Sequence, residues 1–151
     1  MIKHIWSVLC EKSSVDQLSN NISLFDVFEA LVVDINPVPN VKSPAGSEYN
    51  IPVQYQIVTL WTKTDSEDVK SQVRITLVNP DGKEKILVNS ELNFPPGKRR
   101  MRSINQIQGL PVGKSGDYRF IVSLNQGEKI QKVADIPLEV KLNINTSPKQ
   151  A

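Results

Sequence analysis

Apolar and polar residues alternate with a period of two along most of this chain, the signature of strands that bury one face. The clearest run is EKIQKVADIPLEVKLNI. There Ile130, Ala134, Ile136, Leu138, Val140, Leu142 and Ile144 share one parity, and Gln131, Asp135, Glu139, Lys141 and Asn143 share the other. Pro137 takes the polar parity. Proline has no N–H to give a ladder, so this strand is expected at a sheet edge or with a bulge. In DVKSQVRITLV the inward set is Val73, Ile75 and Leu77. Asn79-Pro80-Asp81-Gly82 then supplies turn residues, and KILVNSELNF places Ile86, Val88, Leu92 and Phe94 on one face, so the two segments form a hairpin. VQYQIVTLW alternates Val53, Tyr55, Ile57 and Trp61 against Gln54, Gln56 and Thr62. DYRFIVSL alternates Tyr118, Phe120, Val122 and Leu124 against Arg119 and Ser123.

One stretch fits two periods. SLFDVFEALVV spaces Leu24, Val27, Phe28 and Leu31 as a helix would. Val32, Val33 and Ile35 are β-branched, however, and the surroundings are all strand, so 24–35 reads as a strand, apolar on both faces like a central one. The segment 36–52, NPVPNVKSPAGSEYNIP, is a long loop whose prolines forbid continuous ladder pairing; loops of this length are commonly functional or mobile. The pattern as a whole predicts an all-β protein, an antiparallel β-sandwich of seven or eight strands. It would form one domain over 1–144, with a disordered tail at 145–151. Trp6, Trp61, Tyr55 and Tyr118 sit at core parity, and Tyr49, in the proline loop, is expected to be exposed.

Composition narrows the setting more than the role. A chain of 151 residues buries roughly 70% of the surface it exposes when unfolded, enough to fold without disulfides or metal. At 39% hydrophobic and 23% charged it has an ordinary globular composition. A single cysteine forms no internal disulfide, so nothing points to secretion. The first apolar run is interrupted by His4 and Ser7 and followed by Glu11 and Lys12, unlike a signal peptide. No apolar stretch approaches the ~20 residues of a membrane helix. A cytoplasmic protein without membrane association is expected. The net charge of +2 is too weak to imply nucleic acid. It is unevenly spread: residues 1–68 carry 4 basic and 9 acidic side chains, residues 69–151 carry 14 and 7. Folding is expected to interleave the two halves.

GLPVGKSGDYRF carries the most specific local signal. Gly116 precedes Tyr118 at the start of a strand, after a short proline-containing turn. A tyrosine at that corner of immunoglobulin-like sandwiches commonly bonds back to the preceding backbone, its ring in the core and its hydroxyl satisfying a carbonyl. Together with the first strand ending VLCEK and the phrase NNISLF that follows, this corner resembles a family of short bacterial proteins known only as a domain of unknown function. The resemblance implies an immunoglobulin-like sandwich and no activity. Its motifs belong to the scaffold, and Tyr118, Gly116, Trp6 and Trp61 are accordingly read as structural.

The only histidine, His4, and the only cysteine, Cys10, invite a catalytic reading. Six residues of strand separate them by ~20 Å on one face, whereas a Cys–His nucleophile needs hydrogen-bond reach. A structural zinc site takes four ligands, usually Cys and His. Both residues are therefore expected in the core or at its edge. A Ser-His-Asp triad would have to use His4 as its base, and neither G-x-S-x-G nor the phosphate-binding glycine motifs occur. TDSEDVK holds Asp65, Glu67 and Asp68 without EF-hand spacing and reads as a solvated turn. An enzyme built on Asp65 and Asp68 would need them in a cleft with perturbed pKa values.

PPGKRRMRS is the remaining positive feature. Lys98, Arg99, Arg100 and Arg102 follow a Pro95-Pro96-Gly97 turn, a density of charge able to grip phosphate or an acidic protein face. Interleaved aromatics for base stacking are missing, and charges on an edge strand also block aggregation. The expectation is a non-catalytic protein–protein interaction module, with Lys98, Arg99, Arg100, Arg102 and Tyr49 as contacts and no metal or other cofactor. Nucleic acid or another polyanion is the alternative ligand, an enzyme using carboxylates alone the third reading. A homo-oligomer through an edge strand is compatible with all three.

Overall fold

The computed structural model describes residues 1–36, 48–65 and 70–145. Most of the proline loop, the acidic residues Glu67 and Asp68, and the tail beyond Asn145 lie outside the described residues. The strands are β1 Ile2–Val15, β2 Ile22–Val27, β3 Ala30–Ile35, β4 Tyr49–Lys63, β5 Ser71–Val78, β6 Glu84–Leu92, β7 Arg100–Val112, β8 Gly116–Gln126 and β9 Lys129–Ile144. They form a four-stranded sheet in the order β2-β1-β4-β7 and a five-stranded sheet in the order β3-β9-β8-β5-β6. Facing sheets of this kind make a sandwich. The neighbours β1-β4-β7 and β9-β8-β5-β6 correspond to strands A-B-E and G-F-C-C′ of an immunoglobulin domain, so the protein is an immunoglobulin-like β-sandwich.

The segment 24–35 is not the single central strand expected. It is two strands, each at an edge, in different sheets, which raises the count among the described residues to nine. The chain changes sheets at Phe28–Glu29. Phe28 donates its N–H to the Leu9 carbonyl in one sheet, while the Glu29 carbonyl accepts from Glu139 in the other. Phe28 and Leu31 pack on the core on either side of the crossing, which is why the apolar spacing imitated a helix. β3 then runs parallel to β9, so one pair departs from the expected antiparallel pattern.

The core interdigitates the inward rows of both sheets. Trp61, Ile57, Leu110 and Val112 come from one, and Tyr118, Phe120, Ile75 and Val122 from the other, all of them buried. Tyr55 meets Phe120 edge-on across the interface, with centroids 5.6 Å apart, and donates its hydroxyl to the Gly109 carbonyl at 3.2 Å. Truncating a ring of this kind in such a core costs about 3–5 kcal/mol.

Bulges account for the positions where period two misleads. An extra residue flips the parity of what lies beyond it. Leu87 is the extra residue opposite Ile75–Thr76; it packs on the core and Ile86 turns outward, against expectation. Val133 is the extra residue opposite Val122–Ser123. It packs on the core, and Ile130 is left 64% exposed. Pro137 meets its constraint differently. Glu139 gives its N–H to Glu29 of the β3 segment, so Pro137, two residues earlier, has its N–H-lacking side turned the same way. The β3 ladder begins only at Ala30–Glu139, so at Pro137 that side of β9 is an edge.

Candidate interaction site

The first strand separates the two residues that first suggested chemistry. Ile5 is an extra residue between the pairs His4–Trp61 and Trp6–Leu60. His4 pairs with buried Trp61 and shares its core-facing side, while Cys10 pairs with Gln56 on the opposite, outer face. The two therefore do not share a face, as unbroken alternation had suggested. The same bulge puts Trp6 on the outer face, half-buried, rather than in the core.

The bulge also brings His4 and Ser7 to one side, a pairing that simple alternation hides. His4 Nε2 lies 2.8 Å from Ser7 Oγ, and Ser7 Oγ lies 2.8 Å from Thr59 Oγ1. The imidazole packs edge-on to Trp61, and burial lowers its pKa from the ordinary 6.5. Among the described residues no carboxylate bonds to this ring, and Ser7 is tied to a fully buried threonine hydroxyl. The group satisfies polar atoms within the sandwich. Asp65 is exposed and pairs with the N-terminal ammonium, whose hydrogen bond holds its carboxyl below the usual range. Among the described residues no group of three or more His, Cys, Asp or Glu side chains is placed to hold a metal ion.

At the opposite corner, Tyr118 Oη donates to the Lys114 carbonyl at 2.8 Å. Gly116 has φ +148°, and a Cβ there would meet Pro80 Cγ at 2.7 Å. The tyrosine corner and the β5–β6 turn thus press on each other, and only glycine fits between them. Trp61 is fully buried, its indole N–H donating to Ser103 Oγ at 2.9 Å. Tyr49 differs from expectation. It is the first residue of β4, half-buried, and pairs with core residue Val112. Thr62, at the far end of β4, pairs with Arg100, so Tyr49 and the basic stretch lie roughly 40 Å apart along the strand. Tyr49 is not part of a surface with those cations.

The basic stretch is built by a tight turn. Lys98 donates its N–H to the Pro95 carbonyl at 3.0 Å, with Gly97 at φ +75°, the pattern of a type II turn with proline then glycine at its centre. Lys63 N–H and the Thr62 hydroxyl bond to the Arg99 carbonyl, which sets β7 in register beside β4. Arg100 and Arg102 then fall on the outer face, paired with Thr62 and Leu60.

Part of that outer face is covered by the β1–β2 hairpin. Arg102 donates from Nη2 to the Asn20 carbonyl at 2.8 Å and to Asn20 Oδ1 at 2.9 Å. Ser13 Oγ bonds to Gln56 Oε1 at 2.6 Å. The turn of the hairpin therefore lies back over β4 and β7. The tip is rigidly made: Asp16 Oδ1 accepts from the N–H groups of Leu18 and Ser19, and these bonds hold the Asp16 carboxyl below its usual pKa. Leu18 stands at this tip 99% exposed.

Between the hairpin tip and the Pro95–Lys98 turn runs a groove of about 530 Å³. Val15, Leu60, Met101 and Ile104 supply its apolar surface, and Lys98, Arg100 and Arg102 its charge; among the described residues no carboxylate and no aromatic ring lines it. Lys98, Arg99 and Arg100 are exposed and enter no ion pair among the described residues. Arg102 is different, because it clamps the hairpin. The four cations legible in the sequence are thus three displayed charges and one structural one. Val15, Asn20 and Leu18 were not foreseen, because nothing local announces that a distant hairpin folds over this face.

Comparison with known proteins places the chain in a family and assigns it no activity. No protein of curated function matches the chain significantly. Among solved structures, an immunoglobulin-like protein from Pseudomonas aeruginosa is similar over 93% of this chain and 97% of its own, at 11% identity and a TM-score of 0.37. Among the described residues no helix is long and apolar enough to cross a membrane. Residues 5–141 match a family of unknown function, DUF6941, a span that runs from the bulge of β1 to Lys141 near the end of β9, and the chain belongs to that family.

Proposed function

We propose that this protein is a non-catalytic interaction module that docks an acidic, partly apolar segment of another protein on the corner formed by β7 and the hairpin tip. One observation carries the reading: a groove whose charged lining among the described residues is entirely cationic, over an apolar floor, with a fully exposed leucine on the hydrogen-bonded hairpin tip that forms one wall. Exposed apolar anchors on rigid supports give binding energy at low entropic cost, and displayed cations steer an acidic partner and select against basic ones. A cytoplasmic setting fits the single free, buried Cys10. Nucleic acid is the weaker ligand for this groove, since among the described residues no ring lines it to stack on bases.

The test is affinity capture from the native host, comparing the wild type with the charge reversal Lys98→Glu/Arg99→Glu/Arg100→Glu, which leaves the Arg102 clamp intact. The expected outcome is a captured partner that is lost on reversal and whose binding weakens as salt is raised. A reversal variant that keeps every wild-type partner removes the groove from the reading, and retardation of nucleic acid at low salt without any protein partner replaces it with the polyanion alternative.

A further inference from the structure

We propose that the free edge of β7 takes an extended acidic segment of the partner as an added strand; the proposal rests on the interaction reading and states how the segment is held. Among the described residues β7 pairs with β4 alone. The bond from Lys63 N–H to the Arg99 carbonyl fixes which residues face β4. Residues of odd number turn their backbone groups to β4, and Arg100, Arg102, Ile104 and Gln106 turn N–H and C=O away from it, to the open side.

The other edges are poorer templates. β6 carries the Leu87 bulge and the charges of Glu84, Lys85 and Glu91. β2 and β3 have six residues each, and Asp26 in β2 has φ 53°. In β7 the ladder from Arg100 to Gln108 is unbroken by bulge or proline, roughly 27 Å of regular edge. The groove reaches this edge. It is lined by Arg100, Arg102 and Ile104 from the outer face and also by Met101, whose side chain lies on the core side.

Strand addition would then set the partner's side chains by register. Residues directly opposite Arg100, Arg102 and Ile104 share the outer face with them, and the β4 neighbours already there, Thr62, Leu60 and Val58, include no carboxylate. The fitting segment reads acidic-x-acidic-x-apolar, in one chain direction or the other. A second copy of this chain is a poorer occupant, because it brings another four cations to a groove whose charged lining, among the described residues, is already cationic.

The probe is a dye-labelled, capped peptide of alternating Thr with Glu, Glu and Val at successive outer-face positions, prepared in both chain directions, with a Lys-for-Glu control. Fluorescence anisotropy gives affinity and amide hydrogen exchange gives the mode. The expected result is binding in one direction and new protection of the Arg100, Arg102, Ile104 and Gln106 amides, with little change at Met101, Ser103 and Asn105. Ile104→Pro removes an edge-facing N–H without touching the β4 ladder and should weaken binding about tenfold. Should that variant not fold, N-methylation of the peptide gives the same test: one alternate set of residues abolishes binding and the other leaves it. Charge-dependent binding without amide protection, or indifferent to both N-methylated sets, overturns strand addition and leaves the interaction reading standing. No affinity for either acidic peptide over the Lys control overturns both. A dimer in solution whose edge amides are already protected assigns the edge to a second copy and overturns the proposal.

Discussion

Tyr118 shows what one side chain does at the corner of a sandwich. Its ring is in the core and its hydroxyl reaches the Lys114 carbonyl, so Tyr118→Phe keeps the packing and loses the bond. A loss of about 1 kcal/mol is expected in urea unfolding, with an unchanged denaturant slope. His4 makes a pH-dependent contribution. Burial lowers its pKa from 6.5, so the unfolded chain takes up the proton first. The stability tied to neutral His4 is complete above pH 6.5 and is lost progressively as the pH falls from there through the folded value. Urea midpoints at pH 7.5 and 5.5 should diverge more for the wild type than for His4→Gln; equal pH dependence in the two would show that the ring takes its proton freely in the fold. Both residues were marked in the sequence, but the partners of His4 were not. Ser7 reaches it only because Ile5 is an extra residue in the strand.

At the scale of elements, the hairpin of β1 and β2 changes the meaning of the strands beneath it. Val58 and Cys10 are on the outer face of their sheet, yet both are fully buried, and the Ser13–Gln56 and Arg102–Asn20 bonds lay the hairpin back over that face. The same burial raises the Cys10 thiol above its usual pKa, so it reacts only when this cover opens. Arg102 is the clamp at the hairpin's far end. Arg102→Ala should therefore speed alkylation of Cys10 severalfold while the thermal midpoint moves little, a rate read by mass spectrometry under native conditions. An unchanged rate would mean that the hairpin is held by its apolar contacts alone.

For the molecule as a whole, the uneven charge of the chain is partly interleaved. The first sheet takes β1, β2 and β4 from the acid-rich part and its edge strand β7 from the base-rich part. The cations at 98–102 are not dispersed by this arrangement. They are gathered at one corner, where the β6–β7 turn, the start of β7 and the hairpin tip meet. That corner unites a charge cluster, an apolar groove and a sheet edge unpaired among the described residues, on a side of the sandwich distant from the tyrosine corner.

Alternation along the chain determined much of this protein by itself. It marked the inward rows of β4, β5 and β8, the Asn79–Gly82 turn, the sandwich class and the tyrosine corner, because each rests on local periodicity or on a residue with a special backbone preference. It also exposed the basic stretch, since clustered charge needs no fold to be seen. Only the tertiary structure decided that 24–35 serves two sheets, that Trp6 and Cys10 face outward, that Tyr49 is far from the cations, and that Arg102 is a clamp. All four depend on how strands distant in sequence come to lie beside one another. A one-residue bulge or a crossing between sheets reverses or redirects every side chain that follows, and whether one occurs is settled by strands distant in sequence. The groove has the same origin: its two walls come from residues 15–20 and 95–104, brought together when the hairpin folds over the sheet.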